Sequence, residues 1–214
     1  MIHFEKLGIY CSKPVAFLLC GIYLVQTALA IYLLSQKFDL EKQVSFQQKR
    51  ISELEEKLQL YKAVEDLQIG FTNDEKGMLT NVIYSEAKKY HYNPLFLVSI
   101  ILTESTFKKH EVSPKGATGL MQLAPITGAD VAPKLGVKWQ GTPTLMEPAA
   151  NIKMGSYFLF SQILKYKDIK KALAAYNMGD TGLRGYVREH RTLPKQYYQK
   201  VLSTYKRLKE TYQS

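Results

Sequence analysis

Between Pro14 and Leu34 the chain reads "PVAFLLCGIYLVQTALAIYLL", 21 residues without a charged side chain. About 20 apolar residues cross the hydrocarbon core of a bilayer as a helix. Lipid offers the backbone no hydrogen-bond partners, so a single segment can span it only in that form. The stretch therefore predicts a transmembrane anchor over 14–34, behind a short N-terminal tail, 1–13. A cleavable signal peptide is the rival reading, because Ala28-Leu29-Ala30 has the small-x-small form of a cleavage site. Against it, Ile31, Tyr32, Leu33 and Leu34 carry the apolar run past that point, where a mature N-terminus should turn polar. Cys20 follows Phe17, Leu18 and Leu19, which lack the small residue that lipoprotein processing wants immediately upstream. The flanking cations, Lys6 and Lys13 before and Lys37, Lys42, Lys49 and Arg50 after, do not by count place the N-terminus in the cytoplasm. Cys11 and Cys20, the two cysteines, lie nine residues apart. On a helix that is roughly 13 Å, too far for one disulfide.

After the anchor the pattern becomes "EKQVSFQQKRISELEEKLQLYKAVEDL", charged and free of glycine and proline. Ile51, Leu54, Leu58 and Tyr61 recur at steps of three and four, the seam of an amphipathic helix or short coiled coil. A homodimer through this stalk, 35–69, and a single exposed helix both satisfy the pattern. If wholly helical the stalk reaches about 50 Å. Gly70 and "TNDEKG" mark a linker, 70–75, and 76–214 reads as a compact, mainly α domain whose helices are joined by proline- and glycine-rich loops from Pro114 to Pro148. A composition 46% hydrophobic and 12% aromatic is enough to build its core.

Within that domain "SIILTESTF", Ser99 to Phe107, ends an apolar run on a carboxylate. Asn93-Pro94 supplies an N-cap and a first-turn proline. Leu95 to Leu102 is apolar on nearly all sides, the mark of a core helix. Glu104 then sits at the negative end of the helix dipole and partly out of water, and both conditions favour its protonated form. That suits a general acid, unless Lys108 and Lys109 fold back on it. Downstream, "SPKGATGLMQLAP" spaces Gly116 and Gly119 for close backbone approach. There Gln122 is a donor and acceptor for a sugar hydroxyl or amide, and Met121 an adaptable apolar wall. "ALAAYNMG" sets Tyr176 beside Asn177, an aromatic face next to an amide. Taken singly, each of these also reads as ordinary helix ends and turns.

Taken in order, "ILTESTF", "SPKGATGLMQLAP", "NIKMGSYFL" and "ALAAYNMG" resemble the lytic transglycosylase domain, the goose-lysozyme-like family that cleaves bacterial peptidoglycan. The resemblance runs from about Tyr84 to Leu208. It implies a lysozyme-like helical domain with Glu104 as sole catalytic acid and base. It also implies a sugar groove lined by Ser113, Gly119, Leu120, Met121, Gln122, Ala175, Tyr176 and Asn177. A tyrosine ahead of the last helix that hydrogen-bonds the glutamate matches Tyr197, with Tyr198 the alternative. Two places depart from the family pattern. Met178-Gly179-Asp180-Thr181 stands where Ala-Gly-Pro-Gly is usual, and "LPKQ" stands where Glu-Thr precedes the final tyrosine.

The resemblance implies non-hydrolytic cleavage between N-acetylmuramic acid and N-acetylglucosamine, giving a 1,6-anhydromuramoyl product with no cofactor or metal. Ordinary glycosidases use a second carboxylate. The glycine-rich motif holds none, and Glu111, Asp130, Glu147 and Asp180 are the nearest candidates. A hydrolytic lysozyme using Asp130 or Asp180, and an inactive glycan-binding scaffold, are the alternatives. Residues 160–214 carry 12 basic and 4 acidic side chains, a net +8 of the chain's +10. Such a surface suits an anionic polymer, but no nucleic-acid module accompanies it and no nucleic-acid partner is expected. The expected partners are peptidoglycan strands and the membrane. A peptidoglycan substrate would place the domain on the periplasmic or wall side of the bacterial inner membrane.

Overall fold

The computed structural model describes the backbone of residues 2–4, 9–67 and 70–213 and the side chains of 12–67 and 70–213. The expected tail, 1–13, lies partly outside the described residues, as does the side chain of Cys11. Within the tail, Ile2–Phe4 (β1) pairs antiparallel with Ile9–Cys11 (β2). The chain divides into two compact units, Met1–Leu54 and Glu55–Ser214.

The first unit is this hairpin followed by most of one long helix, α1, Lys13–Asp66. Its apolar residues have no cover within the unit: Phe17, Leu24, Val25 and Ile31 are each about two-thirds exposed or more. By length and composition this helix is compatible with membrane anchoring. The segment expected as anchor and residues 35–66 of the expected stalk run through it without a break in the helix.

The second unit opens with the last turns of α1, where Leu60, Ala63 and Val64 are buried in its core. Around them are α2 (Asn73–Lys89), α3 (Pro94–Glu104), α4 (Pro125–Val131), a 3-10 turn (Pro133–Leu135) and α5 (Thr142–Met146). α6 (Pro148–Tyr166), α7 (Ile169–Arg188) and α8 (Gln196–Tyr212) complete it. The mainly helical class expected from the sequence holds.

Local sequence explains the helix starts. Thr72 and Glu75 form a reciprocal capping box at α2, and Asn93 Oδ1 accepts from Leu95 N–H at 2.9 Å with Pro94 behind it at α3. Glu147 accepts from Ala149 and Ala150 N–H to cap α6. Central to this unit is α3, with Leu95, Leu97, Val98, Ile100 and Ile101 at most 1% exposed. Each such side chain contributes about 1.5–3 kcal/mol of transfer free energy. α8 lies along α3, with Tyr205 edge-on to Phe96 at 5.6 Å, while α2 and α7 flank α6. One glycine breaks the regularity: Gly179, at φ 76° and ψ 161°, kinks α7 after Met178, a backbone state that L side chains rarely adopt.

Candidate active site

The buried helix α3 carries Glu104 as its last residue. The chain then reverses sharply, with Thr106 and Phe107 both left-handed at φ 49° and 60°. Left-handed backbone costs a residue with a Cβ roughly 1–2 kcal/mol. Two features offset it. The Phe107 side chain is wholly buried, and Ser105 Oγ lies 2.9 Å from Leu120 O and 3.2 Å from Ile101 O. This reversal decides the fate of the neighbouring lysines. Lys109 pairs with Glu75 on α2 and Lys108 lies 3.8 Å from Glu111, so neither folds back on Glu104.

The loop from Val112 to Leu123 forms the other wall. Thr118 bridges to both Val112 and Leu123, and Gly119 N–H donates to Glu111 O at 2.9 Å. Three helices hold this loop by its backbone. Ser105, at the end of α3, reaches Leu120 O. Asn151 of α6, fully buried, accepts from Met121 N–H at 2.7 Å and donates to Thr118 O and Leu145 O, both at 2.9 Å. Tyr176 of α7 donates its hydroxyl to Met121 O at 2.8 Å. The packing leaves no room at Gly119 or Gly155. A Cβ on Gly119 (φ 82°) would lie 2.4 Å from Asn151 Nδ2 and from Leu145 O, and one on Gly155 would lie 2.5 Å from Met121 Sδ.

α8 closes the site from the opposite side. Tyr197, in its first turn, donates its hydroxyl to Glu104 Oε1, whereas the neighbouring Tyr198 is buried in the core. Lys200, one turn on, lies with Nζ 3.4 Å from Thr103 O, a carbonyl at the C-terminal end of α3. Burial pushes the Glu104 carboxyl up from 4.5 to about 7, while the Tyr197 hydrogen bond and the Lys200 charge pull the other way. Burial, reinforced by the nearby glutamate, holds the phenols of Tyr176 and Tyr197 well above their ordinary value, so both remain donors. At neutral pH Glu104 is thus poised between acid and base, the state that suits proton transfer in either direction.

The residues singled out from sequence divide into several roles. Glu104, Tyr176 and Tyr197 lie within electrostatic reach of one another. Leu120, Met121 and Ala175 are wholly buried. Gln122, at φ 47°, spends its amide nitrogen on Glu111 O and Gly119 O, at 3.0 and 2.9 Å, and has its amide oxygen left to offer. Ser113 Oγ accepts from Ala117 N–H at 3.0 Å within its own turn, and Asn177 is exposed on α7.

None of the four carboxylates considered as partners for Glu104 is free. Asp180 is clasped by Lys165, Tyr166 and Arg184, with Lys165 foremost in holding its carboxyl low. Asp130 pairs with Lys134, Glu147 caps α6 and Glu111 faces Lys108. Sequence reasoning gave no role to Ser105, Asn151 or Lys200. For Asn151 the signal was a lone amide on the apolar face that also carries Ile152, Met154 and Gly155.

Comparisons with known proteins bear on the family and the fold. The family described as the transglycosylase SLT domain matches residues 81–199. The chain is 42% identical over 71 residues to the endo-type membrane-bound lytic murein transglycosylase A of Klebsiella pneumoniae, covering 31% of this chain and 34% of that protein. It is 33% identical over 97 residues to the transglycosylase of Enterobacteria phage PRD1, covering 45% and 33%. The chain therefore matches about a third of the length of these curated relatives. Among solved structures it is similar to an inactive mutant of lytic transglycosylase Slt from Pseudomonas aeruginosa, with TM-score 0.53 and 28% identity over 61% of this chain and 24% of that one. A 70 kDa soluble lytic transglycosylase from Escherichia coli shares the fold, with TM-score 0.52 and 20% identity over 61% and 24%.

Asn151 is the testable joint of the site. Asn151→Ala leaves Met121 N–H and Leu145 O buried without partners and takes from Thr118 O one of its two donors, the other being Leu123 N–H, and should cost about 3 kcal/mol. Asn151→Asp sets a carboxylate against two carbonyl oxygens and should cost at least as much. Urea unfolding of the detergent-solubilised chain, followed by Trp139 fluorescence, measures both. Midpoints within error of wild type would contradict this role.

Proposed function

This chain belongs to the transglycosylase SLT domain family, with its lysozyme-like fold, and from that membership we propose that it is a membrane-anchored peptidoglycan lytic transglycosylase. Its bond is the β-1,4 link between N-acetylmuramic acid and N-acetylglucosamine. The observation that carries the reading is Glu104, a carboxyl held near neutrality at the end of a core helix, gripped by Tyr197 and facing a loop that three helices hold in place.

The protonated Glu104 donates to the glycosidic oxygen as the bond to the muramoyl anomeric carbon breaks. The resulting carboxylate then takes the proton of the muramoyl 6-hydroxyl, whose oxygen attacks that same anomeric carbon. A 1,6-anhydro ring forms, the N-acetylglucosamine side leaves with a free 4-hydroxyl, and water is not consumed. One group thus serves as acid and then base. The nucleophile is part of the substrate, so proximity replaces the activation of water by a second carboxylate. That Asp130 and Asp180 are both engaged in ion pairs supports this reading over the hydrolytic one.

Two helices prepare Glu104 for both roles. Tyr197 of α8 orients the carboxyl and stabilises its ionised form, and Tyr176 of α7 holds the loop opposite. The Lys200 charge limits how far burial raises the carboxyl, so it can still ionise near neutral pH for the second step.

The uncovered apolar surface of α1 supports an anchor over 14–34 in the inner membrane, with the catalytic unit on the periplasmic or wall side, where the proposed substrate lies. Alkaline carbonate should leave the full chain in the membrane pellet, and release of most of it into the supernatant would contradict the anchor.

Glu104→Gln should lower turnover on sacculi by about 10²- to 10⁴-fold or more. Wild-type activity needs the protonated carboxyl at the first step, so it should hold below pH 7 and fall as pH rises through about 7. Mass spectrometry of the released muropeptides should show anhydro ends, one water lighter than hydrolysed ones. Hydrolysed ends, or near-normal turnover by Glu104→Gln, would overturn the assignment.

A further inference from the structure

We propose that the exposed seam on α1 pairs with the same seam of a second copy, in register and parallel, as a two-stranded coiled coil from Lys37 to Tyr61. The geometry rests first on how the catalytic unit uses this helix. Leu60, Ala63 and Val64 are at most 1% exposed within the unit's core, whereas Leu58, two residues before Leu60, is 55% exposed. At about 100° per residue the first three centre on one side of the helix and Leu58 lies nearly opposite. Glu56, which pairs with Lys88, sits away from the seam, and Lys57, whose ammonium lies over the Tyr84 ring, flanks it. The domain therefore docks on one face and leaves the other open.

In the sequence the same heptad register runs back from Leu58 to Lys37. Lys37, Val44, Ile51 and Leu58 fall on heptad position a, and Leu40, Gln47, Leu54 and Tyr61 on position d. Leu40, Val44 and Leu54 are each about 60% exposed, and Ile51 is 47% exposed. β-Branched residues at a with leucine at d favour two parallel strands over three or four. Val44 and Ile51 at a, with Leu40 and Leu54 at d, meet that rule, while Leu58 at a and Tyr61 at d form a last apolar layer outside it. Lys37 and Gln47 are polar layers, and such layers fix register at a cost in stability. One flanking pair is complementary, and Lys57 at g with Lys62 at the following e is the like-charged one. Arg50 occupies g and Glu55 the following e, so a parallel, in-register pair faces Arg50 of each copy with Glu55 of the other. Lys42 and Lys49 fall on f, the outermost position.

Two exposed aromatics, Phe38 and Phe46, lie off the seam; the Arg50 guanidinium sits 6.0 Å from the Phe46 ring centroid. The parallel direction also agrees with the proposed anchor and rests on it in part, because two copies inserted in one membrane present their helices side by side from the same end. A partner running the other way would separate Arg50 from Glu55.

Single cysteines placed in a Cys11→Ser, Cys20→Ser background test the pairing in the full chain reconstituted in lipid vesicles. Under mild oxidation Leu40→Cys and Leu54→Cys should each form disulfide-linked dimers with themselves, and Lys49→Cys should not. Arg50→Glu should weaken the dimer about tenfold, and Arg50→Glu with Glu55→Arg should restore it. Absence of dimers at both d positions, equal cross-linking at Lys49→Cys, a trimer by mass, or failure of the charge swap to rescue would overturn the proposal. Carbonate extraction of the same samples separates the two claims. Cross-links at the d positions in a chain that carbonate releases would leave the pairing standing and remove the anchor.

Discussion

The backbone of Leu120 and Met121 is held from three directions, and the shape of the site depends on that grip. Ser105 takes the Leu120 carbonyl, Asn151 the Met121 N–H, and Tyr176 the Met121 carbonyl. These contacts come from α3, α6 and α7, so the loop joins three helices that are far apart in sequence. Buried backbone polar groups are expensive to leave without partners. Removing one contact therefore leaves the others strained and does not simply free the loop. The same demand explains the small residues around it. At Gly119 a Cβ would collide with Asn151 and Leu145, and at Gly155 with Met121.

The chemistry of Glu104 follows from a balance of three influences at the end of α3. Burial raises its carboxyl and is the largest; the Tyr197 hydroxyl and the Lys200 ammonium oppose it. Burial alone would leave an acid reluctant to ionise. Strong compensation would leave an ordinary carboxylate, ionised before it could donate. The intermediate result, near neutral, fits one group that must give a proton and then take one. The long α8 helix delivers both opposing groups within one turn, and its packing along α3 is what fixes them there.

Much of this was legible in the sequence because it is written locally. The cap at Asn93-Pro94, the all-apolar run after it and the carboxylate at its end mark the core helix and its product, Glu104. What was not legible depends on chain reversals and on distant partners. Lys108 and Lys109 stand next to Glu104 in sequence, yet left-handed Thr106 and Phe107 turn the chain away and hand Lys109 to Glu75. The cation that does reach the site is Lys200, from the far end of the domain. Met121 and Leu120 read equally well as groove wall or core, because an apolar side chain serves both, and the structure buries them. Along α1 the stalk seam at Ile51, Leu54 and Leu58 was visible. The second stripe at Leu60, Ala63 and Val64 starts before the seam ends, so one helix carries two apolar faces and periodicity alone assigns no partner to either.

The central claim is that burial holds the Glu104 carboxyl near neutral pH against Tyr197. Carbon-13 NMR titration of the glutamate side-chain carboxyls measures this directly, with Glu104→Gln identifying the resonance and Tyr197→Phe perturbing it. The expected midpoint is about 7 in the wild type and higher in Tyr197→Phe. A wild-type midpoint near 4.5, unmoved by Tyr197→Phe, would contradict it.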